Sequence, residues 1–369
     1  DPAGNKVCIV GSDTVGMIGH VLDDVIAALW QRGLTDFTRE NLLMSGTHTH
    51  TGPGSIAKLY LWWLATVDVF VPEVYEAMID QFATLIETAN SNLQPARIGV
   101  GSGFPHEPLT HNRRNQPAYP PDPEPDQEIG VIRIDDLSGN PIAVVFNFAM
   151  HGTSVGSIMN YTPGNWGFAR KTVENLLGNG VVGIPVNSAE GNVAPNGFGG
   201  SNRIEDAMIL GEKLGTRVVE IYEATPTTGD IALATAHCQS DDPDPRSPSF
   251  RQPCPRSFDK TQIRVGFFVE FEDGTSLPGR VAIHLDDIKH PNLLEREGTD
   301  FLGIRITEDG FKNTVIVTFP GEGITEIGMD VKETLKGPDY GFDHAFVFGL
   351  ANGHISYICD REEYWEGGY

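Results

Sequence analysis

Hydrophobic and polar residues alternate along this chain in the patterns of short strands and amphipathic helices. An apolar run at Val7–Val10 predicts a buried strand, and apolar residues from Ile18 to Leu29 recur every three or four positions, which predicts a helix. Gly33 is typical of a helix end, and Leu42–Met44 predicts the next strand. Strand, helix and strand joined by short links predict a βαβ unit.

The same two patterns continue through the rest of the chain. Helical spacing occurs in Glu73–Asn90, Gly167–Leu177, Arg203–Tyr222 and Ile324–Leu335, and apolar runs predict strands at Arg97–Val100, Gly130–Ile134, Ile142–Phe148, Val181–Val186, Val315–Phe319 and Ala345–Leu350. Residues 230–307 differ, because short strands follow one another with turns between them. We therefore predict an α/β fold with a mixed, mainly parallel central sheet flanked by helices. It forms one domain, residues 1–369, with a β-rich insertion at 230–307.

Composition narrows the range of partners. Of the 369 residues, 40% are hydrophobic and 21% charged, as in an ordinary globular protein. The net charge of −24 argues against nucleic acid, whose phosphates attract Lys and Arg, and against an anionic membrane surface. No apolar run has the length of a membrane span, so we predict no transmembrane segment. A small neutral or cationic partner fits this charge.

We predict no signal peptide at the beginning of the chain. Asp1–Gly4 is polar, and a strand follows almost at once. A mature secreted chain and a fragment that lacks an N-terminal piece would both look like this. Asn160-Tyr161-Thr162 is a glycosylation sequon, although one sequon in a chain of this length is close to chance.

The four cysteines point to an oxidising compartment. Cys238 and Cys254 flank a polar, proline-rich loop, and we predict a disulfide that closes it. Cys8 and Cys359 lie in apolar, strand-like surroundings and are predicted to be buried thiols.

The most informative stretch is Ser45-Gly46-Thr47-His48-Thr49-His50-Thr51-Gly52-Pro53-Gly54, which follows the predicted strand Leu42–Met44. Side chains two apart on an extended segment point to the same side, so His48 and His50 can face one point. Imidazole is the commonest protein ligand of transition metals. The alternative is a loop whose histidines only bind the backbone.

Further metal-binding residue types follow other predicted strands. His151 follows Ile142–Phe148, Glu322 follows Val315–Phe319, and Tyr357 lies beyond Ala345–Leu350. Ligands of α/β sheets bind beyond the carboxyl ends of the strands. These three side chains are therefore expected to converge with the histidine pair. Two histidines, a carboxylate and a phenolate make a zinc site with a position open for water.

Each of these residues also has an ordinary structural explanation. His151 fits a hydrogen-bonded core histidine, Glu322 favours the positive end of the helix that follows it, and Tyr357 fits aromatic packing. One shared site explains all of these residues, at several strand ends, more simply than separate explanations do.

At these positions the chain resembles the neutral and alkaline (non-lysosomal) ceramidases. The matching motifs, in the family's order, are Thr47-His48-Thr49-His50-Thr51-Gly52-Pro53-Gly54, Asn147–Ser154, Pro320-Gly321-Glu322, and Gly349-Leu350-Ala351-Asn352 with Tyr357 and Glu362-Glu363-Tyr364. The resemblance implies a zinc-dependent amidase of sphingolipid metabolism, largely secreted or luminal, that cleaves the N-acyl bond of ceramide. It implies that zinc is held by His48, His151, Glu322 and Tyr357. His50 would assist the chemistry, and Arg113 would line the site.

The chain departs from the family at the helper residues. The family's Gly-Asp-x-Ser-Pro-Asn is here Gly191-Asn192-Val193-Ala194-Pro195-Asn196, so the family's serine and acid are missing. A Ser-Asp-Asn is replaced within Tyr161–Asn165, and His354 stands where tyrosine is frequent. The family's N-terminal lead-in and C-terminal β-domain are expected to be absent from this chain.

Zinc can activate water and polarise a carbonyl without that serine. We therefore predict a zinc hydrolase that cleaves an amide or related ester of a small molecule or lipid through metal-activated water. His50 is the candidate to handle a proton, and Arg113 or Asn196 the candidate to hold the substrate.

Two alternatives remain open. One is a non-catalytic relative, a binding or structural protein that kept the scaffold, which Ala194 and Asn192 favour. The other is a metal-dependent amidohydrolase on a (β/α)₈ barrel, which needs a lysine or further histidines at later strand ends. The β-rich residues 230–307 fit eight regular βα units poorly.

Overall fold

The computed structural model of the chain describes residues 1–18, 20–58, 62, 67–114, 123–156, 160–178, 180–200, 202–240, 262–270, 276–284, 299–360 and 363. Within these residues the helices are α1 (Val21–Gln31), α2 (Pro72–Ser91), α3 (Gly164–Leu177), α4 (Arg203–Ala224) and α5 (Thr325–Lys336). The strands are β1 (Cys8–Ser12), β2 (Leu42–Gly46), β3 (Ala96–Gly103), β4 (Thr110–Asn112), β5 (Ile129–Asp136), β6 (Pro141–Phe148), β7 (Val182–Asn187), β8 (Val193–Pro195), β9 (Ile231–Ser240), β10 (Gln262–Glu270), β11 (Ser276–His284), β12 (Thr299–Glu308), β13 (Lys312–Thr318), β14 (Glu322–Gly323), β15 (His344–Phe348) and β16 (Tyr357–Ile358).

The predicted βαβ unit at the start of the chain is confirmed. β1 pairs in parallel with β2, and α1 lies between them in sequence. Buried residues of α1, among them Val25 and Leu29, pack with Phe82 and Ile86 of α2 and with Leu42 of β2. This cluster holds β2 in place, and β2 leads into the histidine pair.

Two four-stranded sheets form the centre of the fold. One has the strand order β3-β5-β6-β7, and the other has the order β15-β13-β12-β9. Side chains from both sheets form one apolar cluster between them, which includes Ile132, Val145, Ile304, Ile316 and Phe346. The two sheets therefore pack face to face.

Helices cover the outer faces of both sheets. On the first sheet Phe146 packs with Trp166 of α3 and Leu214 of α4. On the second sheet Val347 packs in a cluster with Ile327 and Val331 of α5. Alternate residues of one strand serve different layers: Val145 faces the second sheet, whereas Phe146 faces the helices. The result is a four-layer arrangement of helices, sheet, sheet and helix.

The mixed α/β class agrees with the sequence prediction, but one central, mainly parallel sheet does not describe the structure. Among the described strands, antiparallel pairings outnumber the parallel pairings β1–β2, β6–β7, β13–β15 and β14–β16. The reason is local. Only Leu137–Asn140 connects β5 to β6, and a connection this short permits only antiparallel pairing.

The region predicted as an insertion contributes to the second sheet. β9 and β12 pair with each other, and β12 pairs with β13, while β10 and β11 form a separate antiparallel pair. Most of residues 241–298 lie outside the described residues. The division into one domain with an insertion at 230–307 stays a prediction. The described strands form two open four-stranded sheets and four two-stranded ones, and not a closed eight-stranded barrel.

Three further observations concern the predicted partners and cysteines. No helix in the described ranges has the length and apolar character that crossing a membrane requires. Cys8 and Cys359 are free thiols, and burial raises the pKa of Cys8 to about 12. Cys254 lies outside the described residues, so its disulfide with Cys238 stays a prediction.

Candidate metal centre

The segments that follow β2 and β6 lie against each other through their backbones. Thr49 and Gly152 form a parallel bridge, and the amide of His50 donates to the carbonyl oxygen of Gly152 at 3.3 Å. A Cβ atom on Gly152 would lie 2.2 Å from the carbonyl oxygen of His48. Only glycine permits this approach, and it brings His48 and His151 side by side.

Two buried asparagines join the ends of the strands around the centre. The Asn187 amide donates to the carbonyl oxygens of Thr47 at 3.2 Å and of Met150 at 2.9 Å. The Asn147 amide donates to the carbonyl oxygen of Val347 at 3.0 Å. β2, β6, β7 and β15 therefore end at one place, which is the arrangement that the strand-end hypothesis required.

The two central histidines are held in the same tautomer. Nδ1 of His48 lies 2.7 Å from the carbonyl oxygen of Val15, and Nδ1 of His151 lies 2.8 Å from that of Glu190. A carbonyl oxygen can only accept, so each Nδ1 donates a proton, and in the neutral ring Nε2 carries the lone pair. Such outward hydrogen bonds are typical of metal-ligating histidines.

Both Nε2 atoms point at the carboxylate of Glu322. Nε2 of His48 lies 3.3 Å from Oε2 of Glu322, and Nε2 of His151 lies 3.4 Å from the same oxygen. A tetrahedral zinc site with bonds of about 2.0–2.2 Å has ligand atoms about 3.4 Å apart. Within the described part of the chain this oxygen has no hydrogen-bond partner. With both rings neutral, these three buried acceptors would repel one another unless a cation lay among them. The same three atoms therefore fit a metal ion.

The electrostatics of the cluster lead to the same conclusion. Burial alone would lower the pKa of His48, but the charges of Glu322 and Glu190 raise it to about 9. Burial and the neighbouring charge on His48 lower the pKa of His151 to about 3. Although burial disfavours its charge, contact with both histidines keeps the pKa of Glu322 well below its ordinary value. The centre thus stabilises positive charge, and a metal ion would displace the proton from His48.

Tyr357 and Arg113 lie beside this cluster. β14 and β16 pair in parallel with Glu322 opposite Tyr357. Arg113 donates to the Tyr357 hydroxyl oxygen at 2.8 Å and to the carbonyl oxygen of Gly191 at 2.5 Å, and its Nη1 lies 3.3 Å from Nε2 of His151. Burial, and after it the charge of Glu322, raise the pKa of Tyr357 above its ordinary value. Tyr357 is therefore a neutral phenol in this environment.

His50 occupies the outer side of the cluster. Its Nε2 lies 3.1 Å from Nε2 of His48, and unlike His48 and His151 the residue is exposed to solvent. Desolvation of the ring and the charge on His48 lower the pKa of His50 to about 4. His50 is therefore neutral near pH 7 and has a lone pair available at the rim of the centre.

Asn196 is engaged away from the histidine cluster. β4 and β8 pair with His111 opposite Ala194. Oδ1 of Asn196 lies 2.7 Å from Nδ1 of His111, and its amide donates to the carbonyl oxygen of Pro108 at 2.9 Å. Asn196 thus fixes the chain that leads into β4 and Arg113. Its role in holding substrate stays a prediction.

Sequence reasoning did not assign a role to Glu190. This fully buried residue belongs to a four-residue set with His48, His151 and Glu322, in which one ligand atom from each lies within 4.8 Å of the others. Burial and the charge of Glu322 raise the pKa of Glu190 to about 8. The sequence did contain one signal for Glu190, which is its position just after a predicted strand, as for His151.

His354 also lies against the cluster. Its Nδ1 accepts from the amide of Ser356 at 3.2 Å, so its Nε2 carries the proton and lies 3.6 Å from Oε1 of Glu322. Burial lowers the pKa of His354 to about 4. At 3.6 Å its contact with Glu322 is too long for a hydrogen bond, and within the described residues Nε2 of His354 has no partner. His354 therefore packs against Glu322 and does not offer a lone pair from Nε2 to a metal.

Comparison with known families and proteins gives a consistent result. The family "Neutral/alkaline non-lysosomal ceramidase, N-terminal" matches residues 1–227. Neutral ceramidase A of Dictyostelium discoideum is 30% identical over 261 residues, which are 64% of this chain and 35% of that protein. Neutral ceramidase of Pseudomonas aeruginosa is 26% identical over 203 residues, which are 53% of this chain and 30% of that protein. The matches therefore span only about a third of these relatives.

Solved structures show the same fold. The crystal structure of neutral ceramidase from Pseudomonas aeruginosa matches 99% of this chain with a TM-score of 0.76 and 20% sequence identity, and the match covers 62% of that chain. A second structure, of a ceramidase complexed with C2, matches 98% of this chain with a TM-score of 0.73. The sheets and helices described above are thus arranged as in a known structure.

Proposed function

The chain belongs to the neutral/alkaline non-lysosomal ceramidase family, and from this premise we propose that it is a zinc-dependent hydrolase that cleaves an N-acyl amide or a related ester bond. One observation carries the proposal. His48 and His151 direct their Nε2 atoms at one buried oxygen of Glu322, at 3.3 and 3.4 Å. These three residues would hold the ion, with Tyr357 beside them as the further candidate ligand.

A zinc ion held there would polarise the substrate carbonyl and lower the pKa of a water to about 7. The chain supplies the remaining functions. Arg113, which carries a permanent charge, would bind a carbonyl or hydroxyl oxygen of the substrate beside Tyr357. His50, neutral and at the rim, would accept the proton of the attacking water and return it to the leaving amine.

The side chain at position 194 bears on the chemical route. Ala194 has no hydroxyl, so it cannot form a covalent acyl-enzyme. A donor that stabilises only the developing oxyanion contributes about 2.7–4 kcal/mol, a loss that slows an enzyme without abolishing its chemistry. We therefore propose direct hydrolysis, with slower turnover of ceramide than a relative that has the serine.

The substrate class is proposed on the same premise. The matched relatives are ceramidases by name, so an N-acylated lipid is the first candidate. The net charge of −24 disfavours strongly anionic substrates and surfaces. Ceramide, other N-acyl amides and acyl esters are therefore the compounds to test.

The experiment is turnover of that panel by the purified chain with and without zinc. Zinc-dependent hydrolysis of at least one amide or ester is expected, and activity should disappear with a chelator and return with zinc. His151→Ala and Glu322→Ala should each lose the ion in elemental analysis. If both variants retain zinc at the parent stoichiometry, the ligand assignment is wrong.

A non-catalytic scaffold is the second candidate, and the surroundings of Asn192 favour it. Asn192 stands where the family has an acid, and its amide donates to Glu326 at 2.8 Å while its Oδ1 accepts from the amide of Thr325. These contacts give Asn192 a structural role at the start of α5. Zinc-loaded protein that hydrolyses none of the panel would support this alternative.

Secretion is also proposed. It predicts that Cys238 and Cys254 form a disulfide, and it would make Asn160 available for glycosylation. Non-reducing peptide mapping should recover the two cysteines in one cross-linked species. Recovery of both as free thiols would contradict the disulfide.

A further inference from the structure

A second carboxylate faces the centre, and nothing in the proposed chemistry uses it. We propose that Glu190 is a direct ligand of the metal, so that two imidazoles and two carboxylates hold the ion. The proposal depends on the proposed function only for the presence of a divalent metal. It puts Glu190 in the place of Tyr357 in the set implied by the family resemblance, which consists of His48, His151, Glu322 and Tyr357.

The backbone places Glu190 at the centre. It follows the end of β7, where the amide of Ser188 donates to the carbonyl oxygen of Phe148 and the amide of Val193 donates to that of Glu190. The Glu190 carbonyl oxygen also accepts from Nδ1 of His151 at 2.8 Å. The backbone of Glu190 thus orients the His151 ring and is held rigidly against it. The side chain of Glu190 therefore starts beside that ring.

A glycine leaves room for the carboxylate. A Cβ atom on Gly349 would lie 3.2 Å from Oε2 of Glu190 and 2.1 Å from the carbonyl oxygen of Ser188. The end of β15 is therefore open on the side from which Glu190 reaches the cluster.

Both carboxylate oxygens of Glu190 are buried, and within the described residues neither has a hydrogen-bond partner. A buried carboxylate is ionised only where a cation lies close to it, because its charge otherwise costs several kcal/mol. One ligand atom of Glu190 lies within 4.8 Å of those of His48, His151 and Glu322. The shared centre of these four residues is the place where a cation would serve both carboxylates.

Charge balance favours Glu190 over Tyr357 as the second anion. Glu190 and Glu322 together neutralise a divalent ion, with His48 and His151 as neutral ligands. The Tyr357 hydroxyl oxygen already accepts from Arg113 at 2.8 Å. The hydrogen bond from Arg113 places the Tyr357 hydroxyl to orient substrate, and the anionic role falls to Glu190.

Zinc affinity of the demetallated protein tests the proposal. Competition with a chromophoric chelator should show that Glu190→Gln weakens Zn²⁺ binding about 100-fold or more, because even outer-shell partners of metal ligands are worth 10–100-fold. The visible spectrum of the Co²⁺-loaded protein should also change, because the ligand number changes. Glu308→Gln is the matched control. Glu308 is a buried carboxylate that pairs with Lys312 at the far end of β13, and its variant should keep the parent affinity and spectrum.

A measurement on the parent protein keeps the test independent of folding. Zinc-edge anomalous diffraction should place a Glu190 oxygen about 2.0–2.2 Å from the ion. If Zn²⁺ binds and Glu190 lies outside bonding distance, or if Glu190→Gln binds Zn²⁺ and Co²⁺ as the parent does, the proposal is wrong and the proposed hydrolase is unaffected. If the ion is bound by Glu190 but no amide or ester is turned over, the hydrolase proposal fails and this ligand remains. A parent that binds no zinc overturns both.

Discussion

Four non-glycine residues around the centre adopt the left-handed backbone conformation. Their φ angles are 61° at His48, 52° at Leu350, 59° at Asn352 and 73° at Ser356. Each such residue costs about 1–3 kcal/mol and persists only where its surroundings hold it. At His48 the amide donates to the carbonyl oxygen of Thr14 at 3.0 Å. Packing and hydrogen bonds of the chain therefore pre-form the centre.

Asn352 holds one of these turns against β2. Its Oδ1 accepts from the amide of Met44 at 2.8 Å, and its amide donates to the carbonyl oxygen of Leu42 at 3.0 Å. Asn352→Ala would leave both backbone groups buried and unpaired and would introduce a residue that disfavours positive φ. We expect the free energy of unfolding to fall by about 2–4 kcal/mol, measured by denaturant titration.

Asn352→Gly separates the two causes, because glycine accepts positive φ but makes no side-chain hydrogen bond. Asn352→Gly should recover only the part of the lost unfolding free energy that comes from the strained backbone. If Asn352→Ala is as stable as the parent, the tie to β2 is not significant for the fold.

Ala194 offers a gain-of-function test. It lies opposite His111 on the β4–β8 pair, close in sequence to Asn192, whose carbonyl oxygen accepts from the amide of Arg113 at 2.8 Å. If the missing serine acted as an oxyanion donor, Ala194→Ser should raise hydrolysis of a ceramide on the order of 10²-fold or more. The measurement is kcat at matched zinc content. An unchanged rate in a zinc-loaded variant would mean that more than a hydroxyl has been lost.

At the scale of residues, the sequence could predict which side chains lie near one another, but not which way each side chain points. His48, His151 and Glu322 follow strands, and the structure brings them together; their function as zinc ligands stays a prediction. Glu190 follows a strand as well, but which way its side chain points depends on the turn at Ser188–Glu190 and on the opening at Gly349. Neither feature has a periodic signal that a sequence can reveal.

At the scale of elements, long periodic segments were predicted well. α3 and α4 match the predicted Gly167–Leu177 and Arg203–Tyr222 to within three residues at each end, because an apolar stripe must face the sheet over several turns. Strand partners were harder to predict. β4, β8, β14 and β16 have two or three residues each, too few for a period, yet they carry or position Glu322, Tyr357 and Arg113.

The contact between the segments after β2 and β6 can be tested at Gly152. A methyl group there would meet the carbonyl oxygen of His48 at 2.2 Å, and backbone cannot yield as a flexible side chain would. Gly152→Ala should lower the free energy of unfolding by at least about 2 kcal/mol, since forced overpacking costs this much. It should also weaken zinc binding, because it separates His48 from His151.

Gly229→Ala is the matched control, since a Cβ atom at Gly229 would meet nothing within 4 Å. Its stability should stay within about 0.5 kcal/mol of the parent. Parent-like zinc affinity in Gly152→Ala would show that the two histidine segments do not need this close approach.

At the scale of the whole molecule, the layers are joined by polar contacts as well as by apolar packing. Lys332 of α5 lies on the outer face of the second sheet, whereas Asp126 and Glu128 precede β5 of the first sheet. The Lys332 ammonium lies 2.6 Å from a carboxylate oxygen of each, and Lys332 is 5% exposed. This cluster, in which Lys332 is buried and the two carboxylates are partly buried, fixes α5 and the Glu322 segment before it relative to the first sheet.

The last prediction concerns this cluster and its dependence on pH. Burial alone would raise the pKa of Glu128, but Lys332 lowers it below its ordinary 4.5. The stabilisation is therefore complete above that value and is lost as pH falls through the lowered pKa. Lys332→Met leaves two partly buried carboxylates with only the exposed Lys336 near them, which should cost about 1–3 kcal/mol near neutral pH. In that variant burial raises the carboxyl pKa, so acid relieves the cost. Denaturant unfolding at about pH 7 and about pH 4 should show that the difference in unfolding free energy between parent and variant becomes smaller on acidification.

Lys336→Met is the control, because the Lys336 ammonium is 40% exposed and lies 3.8 Å from Glu128. It should change stability by at most about 1 kcal/mol. A Lys332→Met gap that stays constant between the two pH values would mean that lost packing of the lysine stem, and not the charge of the cluster, accounts for the effect.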